Sequence, residues 1–200
     1  MNIIFDVGMV LADFRWRGFA ADKNIPEHSV DLIEERMILD PIWSEFDRGV
    51  IPFYELIDRI AERFTDIPDD YRRFWDDITG LVRAFDYSEG WLRSLKEQGH
   101  RLYLLSNYSD TMFEIHSRDY PFMKYLDGKI ISGEYHIIKP DPEIYKLLLN
   151  TYSLDPSESV FIDDRPENTA AAEKLGIKAI TFRSFEQAEN ELDEYLRIRG

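Results

Sequence analysis

A single carboxylate, Asp6, ends the apolar run Ile3-Ile4-Phe5 in the segment "FDVGMVLADF", and Gly8 stands two residues after it. Three later segments carry polar groups of complementary kinds: Ser106 and Asn107 close "LLSN", Lys139 opens "KPDPEIY", and Asp163 and Asp164 are adjacent in "FIDDRPEN". Each has an ordinary explanation when taken alone, since a carboxylate at a strand end is more often a cap or salt-bridge partner than a catalyst, and Ser-Asn commonly opens a turn. As a set they are chemically consistent. Two neighbouring carboxylates repel unless a cation offsets them, and hard oxygen ligands suit magnesium. A lysine just ahead of a Pro-initiated helix works against the helix dipole, so its place there points to a nearby anion. A hydroxyl and an amide can hold an anionic oxygen.

The elements that must position these groups follow from the hydrophobic pattern. Five runs rich in Ile, Val, Phe, Tyr and Leu read as strands: Asn2 to Asp6, Arg101 to Ser106, Lys129 to Ser132, Ser159 to Asp163, and Lys178 to Phe182. Such nearly continuous apolar runs suit a parallel sheet covered on both faces. Helical patterns span 88–98, 110–115, 142–152, 166–175 and 184–197, with Gly99 and Gly176 as stops and Pro142 and Pro166 at first helical positions. The alternation predicts a doubly wound, Rossmann-like α/β fold, in which ligands bind at the carboxyl ends of the strands. Four of the five strands end in, or lead into, the residues named above.

Residues 15–87 break the alternation with helical periodicity over 26–40, 41–48, 52–64 and 68–79; Phe53, Leu56, Ile57, Ile60 and Phe64 fall on one face. This predicts an inserted α-helical cap, 15–87, on a core of 1–14 and 88–200, with tethers near 14–20 and 80–88. Gly18 and Gly80 near those tethers are candidate hinges for a cap that closes over the site.

Composition narrows the function classes. A formal charge of −15, with acidic and basic residues both scattered, lacks the concentrated positive face that nucleic-acid binding needs. No apolar run reaches the roughly 18 residues of a membrane span, and the N-terminus has no signal-peptide pattern, so a cytoplasmic protein with no membrane partner is expected. The absence of cysteine removes thiolate catalysis and cysteine-ligated zinc. His28, His100, His116 and His136 show no paired metal-ligand spacing.

In order and spacing, "FDVGMVL", "LLSN", "KPDPEIY" and "FIDDRPEN" resemble the motifs of the haloacid dehalogenase superfamily, whose members are mostly phosphatases, and the insert resembles the helical cap of its sugar-phosphatase branch. The resemblance implies that Asp6 attacks phosphorus and forms an aspartyl-phosphate that water hydrolyses. It implies a magnesium site made by Asp6, the Gly8 carbonyl and Asp163, with Asp164 as a further ligand or partner. Lys139 would neutralise Asp6 and the phosphoryl oxygens, while Ser106 and the Asn107 backbone donate to those oxygens. The implied partner is a small phosphorylated metabolite, and the chain is expected to be a monomer or homodimer.

Position 8 departs from the pattern. Typical phosphatases of the superfamily carry a second Asp there, which protonates the leaving oxygen, a contribution of typically about 10² to 10⁴ in rate. Three readings follow. The favoured one is a good leaving group, as in an aldose-1-phosphate. Alternatively Asp13 or a cap residue supplies the proton. The third is 2-haloacid dehalogenation, which needs neither the second Asp nor the retained pair Asp163-Asp164. A phosphate-binding regulatory protein with weakened catalysis is the non-enzyme alternative. In the cap, Trp43 and Phe46 are expected mainly to pack the lobe, and Arg15, Arg17 and Arg48 are candidate substrate contacts; in the core, Arg165 is expected to offset the charge of the acidic pair it follows, as an ion pair and not as a substrate contact.

Overall fold

A computed structural model describes residues 1–199. The central strand β1 (Asn2–Phe5) is wholly buried. After the ribbon strands β2 (Ala12–Phe14) and β3 (Val82–Ala84), the chain adds β4 (Arg101–Ser106) and β5 (Gly128–Ile131) on one side of β1, then crosses to add β6 (Ser159–Asp163) and β7 (Lys178–Thr181) on the other. The five-stranded parallel sheet has the order β5-β4-β1-β6-β7, so the strand order reverses at β1. Crevices at such reversals hold ligands in this class of sheet.

Alternation along the strands divides the core between two faces. Ile3, Phe5, Leu102, Leu104, Val160 and Ile162 point to one side; Ile4, Tyr103, Leu105 and Phe161 point to the other. Helices α6 (Asp86–Glu97) and α11 (Phe185–Arg199) cover the first face with Trp91, Leu92, Leu95, Ala188 and Leu192. Helices α9 (Pro142–Tyr152) and α10 (Pro166–Glu173) cover the second with Ile144, Tyr145, Leu148 and Ala172. The register sets Phe5 opposite both Leu104 and Ile162, which brings Asp6, Ser106 and Asp163 to one rim.

The five strands of the main sheet lie where the sequence pattern puts them, to within a residue at each end. Two further strands do not follow from that pattern. β2 and β3 pair antiparallel, with Asp13 opposite Arg83, and zip the two tethers of the insert into a ribbon. Three-residue strands carry no legible alternation; their pairing exists because the folded insert returns its ends to one place.

Between them lie α1 (Trp16–Asp22), α2 (Glu27–Ile33), α3 (Trp43–Arg48), α4 (Phe53–Ile60) and α5 (Pro68–Asp76), with α2 continuing as a π turn over Glu34–Ile38. Phe19, Ile33, Met37, Phe46, Phe64 and Phe74 are buried in the same hydrophobic cluster as Ile3 and Phe5, so insert and sheet share one core. Gly18, a candidate hinge, sits inside α1. The remaining helices are α7 (Asp110–His116) and the single turn α8 (Ser132–Tyr135).

Candidate active site

Asp6 follows β1 and is 8% exposed. Its Oδ1 accepts hydrogen bonds from the Val7 amide at 2.7 Å and the Ser106 hydroxyl at 2.6 Å, and lies 3.0 Å from Lys139 Nζ. Oδ2 accepts no hydrogen bond among the described residues. Three donors on one oxygen fix the orientation of the carboxylate and leave the other oxygen available.

Lys139 is buried with its ammonium shared among three acceptors, Asp6 Oδ1, Asp163 Oδ2 at 2.6 Å and the Leu105 carbonyl at 2.8 Å. Burial pulls its pKa down, but the charges of Asp163 and Asp6 outweigh burial and hold it above the ordinary lysine value. The backbone before α9 is secured by Asn107, whose side chain accepts from the Lys139 amide at 2.7 Å and donates to its carbonyl at 3.0 Å. The side chain of Asn107 is thus engaged in placing Lys139.

Asp163 is fully buried, and both oxygens are occupied: Oδ1 by the Arg165 amide at 2.8 Å and Asn168 Nδ2 at 3.0 Å, Oδ2 by Lys139 and Asn168. Asp164 is half-buried and lines the adjoining cavity, and burial followed by the Asp163 charge raises its pKa. Carboxylate oxygens of Asp6, Asp163 and Asp164 come within 4.8 Å of one another, close enough to share one cation. Burial, only partly offset by Lys139, pushes the Asp6 pKa up to about 6, the signature of an acidic site that welcomes further positive charge.

The loop after β1 leaves one backbone oxygen free of hydrogen bonds. Amides of Leu11 and Ala12 both donate to the Val7 carbonyl at 2.9 Å, and Met9 takes a left-handed φ of 59°, leaving the Gly8 carbonyl without a donor among the described residues. Gly8 itself is not at positive φ, and a Cβ built there meets nothing within 4 Å. Nothing in the backbone demands glycine at this position.

These groups open onto a cavity of about 480 Å³ lined by Asp6, Gly8, Asn107, Lys139, Asp164 and Arg165 from the core and by Ile38, Leu39, Trp43 and Asp47 from the cap. Trp43 faces this cavity while Phe46 is core, so the pair divides between wall and packing. The cap arginines are engaged elsewhere. Arg15 bonds the Gly80 carbonyl and Asp22, Arg17 bonds Asp31 and Glu34, and Arg48 lies 3.8 Å from Glu45. Asp13 lies on the ribbon, outside the cavity lining. Arg165, expected to offset the charge of the acidic pair, forms its ion pair with Glu167 at 2.6 Å.

Sequence reasoning missed Asn168 and Asp47. The spacing of Asn168, five residues after Asp163 and on the first turns of a Pro-initiated helix, is a usable signal because that position looks back over the strand end. Asp47 had no signal: it is one of 39 acidic residues, and only the docking of the cap brings it to the cavity. His116 is also placed, its Nε2 donating to the Ile78 carbonyl and its Nδ1 accepting from the Tyr108 hydroxyl, which holds Tyr108 at the cavity wall.

Known proteins resemble this chain in sequence and in fold. The chain is 29% identical over 180 residues to a sesquiterpene phosphatase of Aspergillus oryzae, covering 87% of this chain and 85% of that one. It is 45% identical over 206 residues to acyl-CoA dehydrogenase family member 10 of mouse, covering 97% of this chain but 19% of the mouse protein. Of two other curated relatives it spans 35% and 61%. A crystal structure of a Bacteroides thetaiotaomicron HAD family enzyme in complex with magnesium and inorganic phosphate superposes with a TM-score of 0.73 at 27% identity, covering 92% of this chain and 94% of that one. No helix among the described residues is long and apolar enough to cross a membrane. The haloacid dehalogenase-like hydrolase family model matches residues 4–176, which includes all four motifs, and the chain belongs to that family.

Proposed function

We propose that the chain is a magnesium-dependent phosphomonoester hydrolase that works through an aspartyl-phosphate on Asp6. The observation that carries this reading is the convergence of Ser106, Lys139 and two further carboxylates on Asp6 at the mouth of one cavity. Asp6 attacks phosphorus in line while the P–O bond to the leaving group breaks, and water later cleaves the acyl phosphate. Lys139 offsets the charge of the nucleophile and of the phosphoryl oxygens, and Ser106 orients the nucleophile.

A cation would be held by Asp6, the Gly8 carbonyl and Asp164. Asp163, saturated by Lys139, Asn168 and the Arg165 amide, serves to anchor the lysine. Bound there, magnesium supplies the positive charge that lets an anionic nucleophile approach an anionic substrate.

Two substrate readings differ in what they ask of the cavity. The glycine at position 8 favours a small sugar phosphate such as an aldose-1-phosphate, whose anomeric oxygen leaves readily. The apolar wall of Phe14, Ile38, Leu39, Trp43, Val82 and Met112 favours an alkyl or aryl phosphate, since the cap arginines that would meet sugar hydroxyls are engaged elsewhere. Phosphate release from a panel of sugar, alkyl and aryl phosphates, with and without magnesium, tests both. Halide release from 2-chloropropionate, or phosphate binding without turnover, would replace this reading.

A further inference from the structure

Beside the site, the end of α3 is fastened to the core. Gly49, which ends α3 in a left-handed conformation at φ 68°, packs on Gly133 of α8 so closely that a Cβ would lie 2.7 Å from the Gly133 carbonyl oxygen. The Ser132 hydroxyl donates to the Asp47 carbonyl at 2.5 Å, and His136 Nδ1 donates to the Arg48 carbonyl at 3.1 Å. Ser132 follows β5 in the catalytic sheet, so the last turn of α3 is held in register with the rim that carries Asp6 and Lys139.

This fastening places the Asp47 side chain at the cavity. Asp47 is half-buried as a residue, its carboxyl group is turned inward, and it makes no hydrogen bond or ion pair among the described residues. A surface carboxylate without a partner is ordinary, but one removed from bulk water is costly unless it is neutral or has a task. The charged groups around it are Asp6 at the end of β1, Lys139 ahead of α9 and Arg165 ahead of α10, with Tyr108 after β4 as the neighbouring phenol. Burial, then the charge of Asp6, push its pKa up to about 7, against the pull of Lys139 and Arg165.

We propose that Asp47 is the general acid and base of this enzyme, delivered by the cap in place of the carboxylate missing at Gly8. The proposal rests on the phosphatase reading above. In the first step a bond forms between Asp6 and phosphorus, the bond from phosphorus to the leaving oxygen breaks with its electron pair, and that oxygen takes the proton of Asp47. In the second step Asp47, now a carboxylate, takes a proton from water as the water oxygen bonds to phosphorus. The P–O bond to Asp6 breaks and returns its electron pair to the carboxylate. Atoms and charge balance over the cycle, and Asp47 regains its proton.

The test is rapid-mixing kinetics of the full chain with magnesium on two substrates, p-nitrophenyl phosphate, whose leaving group needs no proton, and hexyl phosphate, whose alkoxide does. Asp47→Asn keeps the shape of the side chain. It is expected to retain the rapid burst of about one equivalent of p-nitrophenolate, followed by a slowed steady state, and to form phosphoenzyme from hexyl phosphate about 10² to 10⁴ times more slowly than the wild type. Because position 8 has open space and an ordinary φ, Gly8→Asp in the Asp47→Asn background is expected to recover part of the hexyl phosphate rate. Equal loss of both burst phases, or an unchanged hexyl phosphate rate, overturns the role of Asp47. A wild type with no magnesium-dependent turnover of either substrate overturns the phosphatase reading itself, and this role with it.

Discussion

Gly49 of the cap and Gly133 of the core meet backbone to backbone, with no room for a side chain between them: a Cβ on Gly49 would lie 2.8 Å from the Gly133 Cα. Gly49→Ala adds both a left-handed alanine and that clash. It is expected to lower stability by about 1–3 kcal/mol. Because the contact also holds α3 over the site, alkyl phosphate turnover should fall as well. Denaturant midpoints and steady-state rates on one sample check both effects.

Lys139 is buried between Asp6 and Asp163. Lys139→Met leaves two buried carboxylates without compensation, and removing one partner of such a pair costs about 3–5 kcal/mol. Phosphatase activity should vanish. Lys139→Arg is expected to rescue neither property, since a planar guanidinium cannot share one ammonium position among three converging acceptors. Urea unfolding and phosphate release are the measurements.

Asp6→Asn is expected to abolish turnover and to leave the fold intact. Its stability effect depends on pH with a definite sign. The folded pKa of about 6 lies above the ordinary aspartate value of 3.8, so between these the folded state binds a proton that the unfolded chain releases. Stability from this group is therefore full below about pH 4 and is lost as pH rises through 6. Without divalent cations, Asp6→Asn should melt higher than wild type at pH 7.5, with the gain shrinking toward pH 4. A constant difference across that range would contradict the burial argument.

Magnesium should raise the melting temperature of the wild type at pH 7.5 and do so less at pH 5, because protonated Asp6 is a poor ligand. Asp164→Asn should remove most of that shift while leaving the metal-free protein at least as stable, because burial and the Asp163 charge disfavour its carboxylate. Asp163→Asn should lower the stability of the metal-free protein, because Lys139, Asn168 and the Arg165 amide depend on it. The reverse pattern would make Asp163 the principal ligand.

Much of the core and of its site was legible without coordinates, because parallel strands buried on both faces announce themselves as continuous apolar runs and their polar ends mark the ligand rim. Asp6, Ser106, Asp163 and Asp164 are legible from their strand ends, which the register of β1 with β4 and β6 brings together, and Lys139 is legible from its place just ahead of the Pro-initiated α9. The roles within that set were not legible. That Asp163 is saturated while Asp164 lines the cavity depends on where the first turns of α10 carry Arg165 and Asn168. Nor could the sequence say which cap residue meets the site. Helical periodicity identifies a buried face of α3 but not what that face is buried against. The choice of Trp43 and Asp47 over Arg15, Arg17 and Arg48 comes from long-range packing, the ribbon of β2 on β3 and the contact of Gly49 with Gly133, between residues about 70 to 85 positions apart in the chain, where local propensity carries no information.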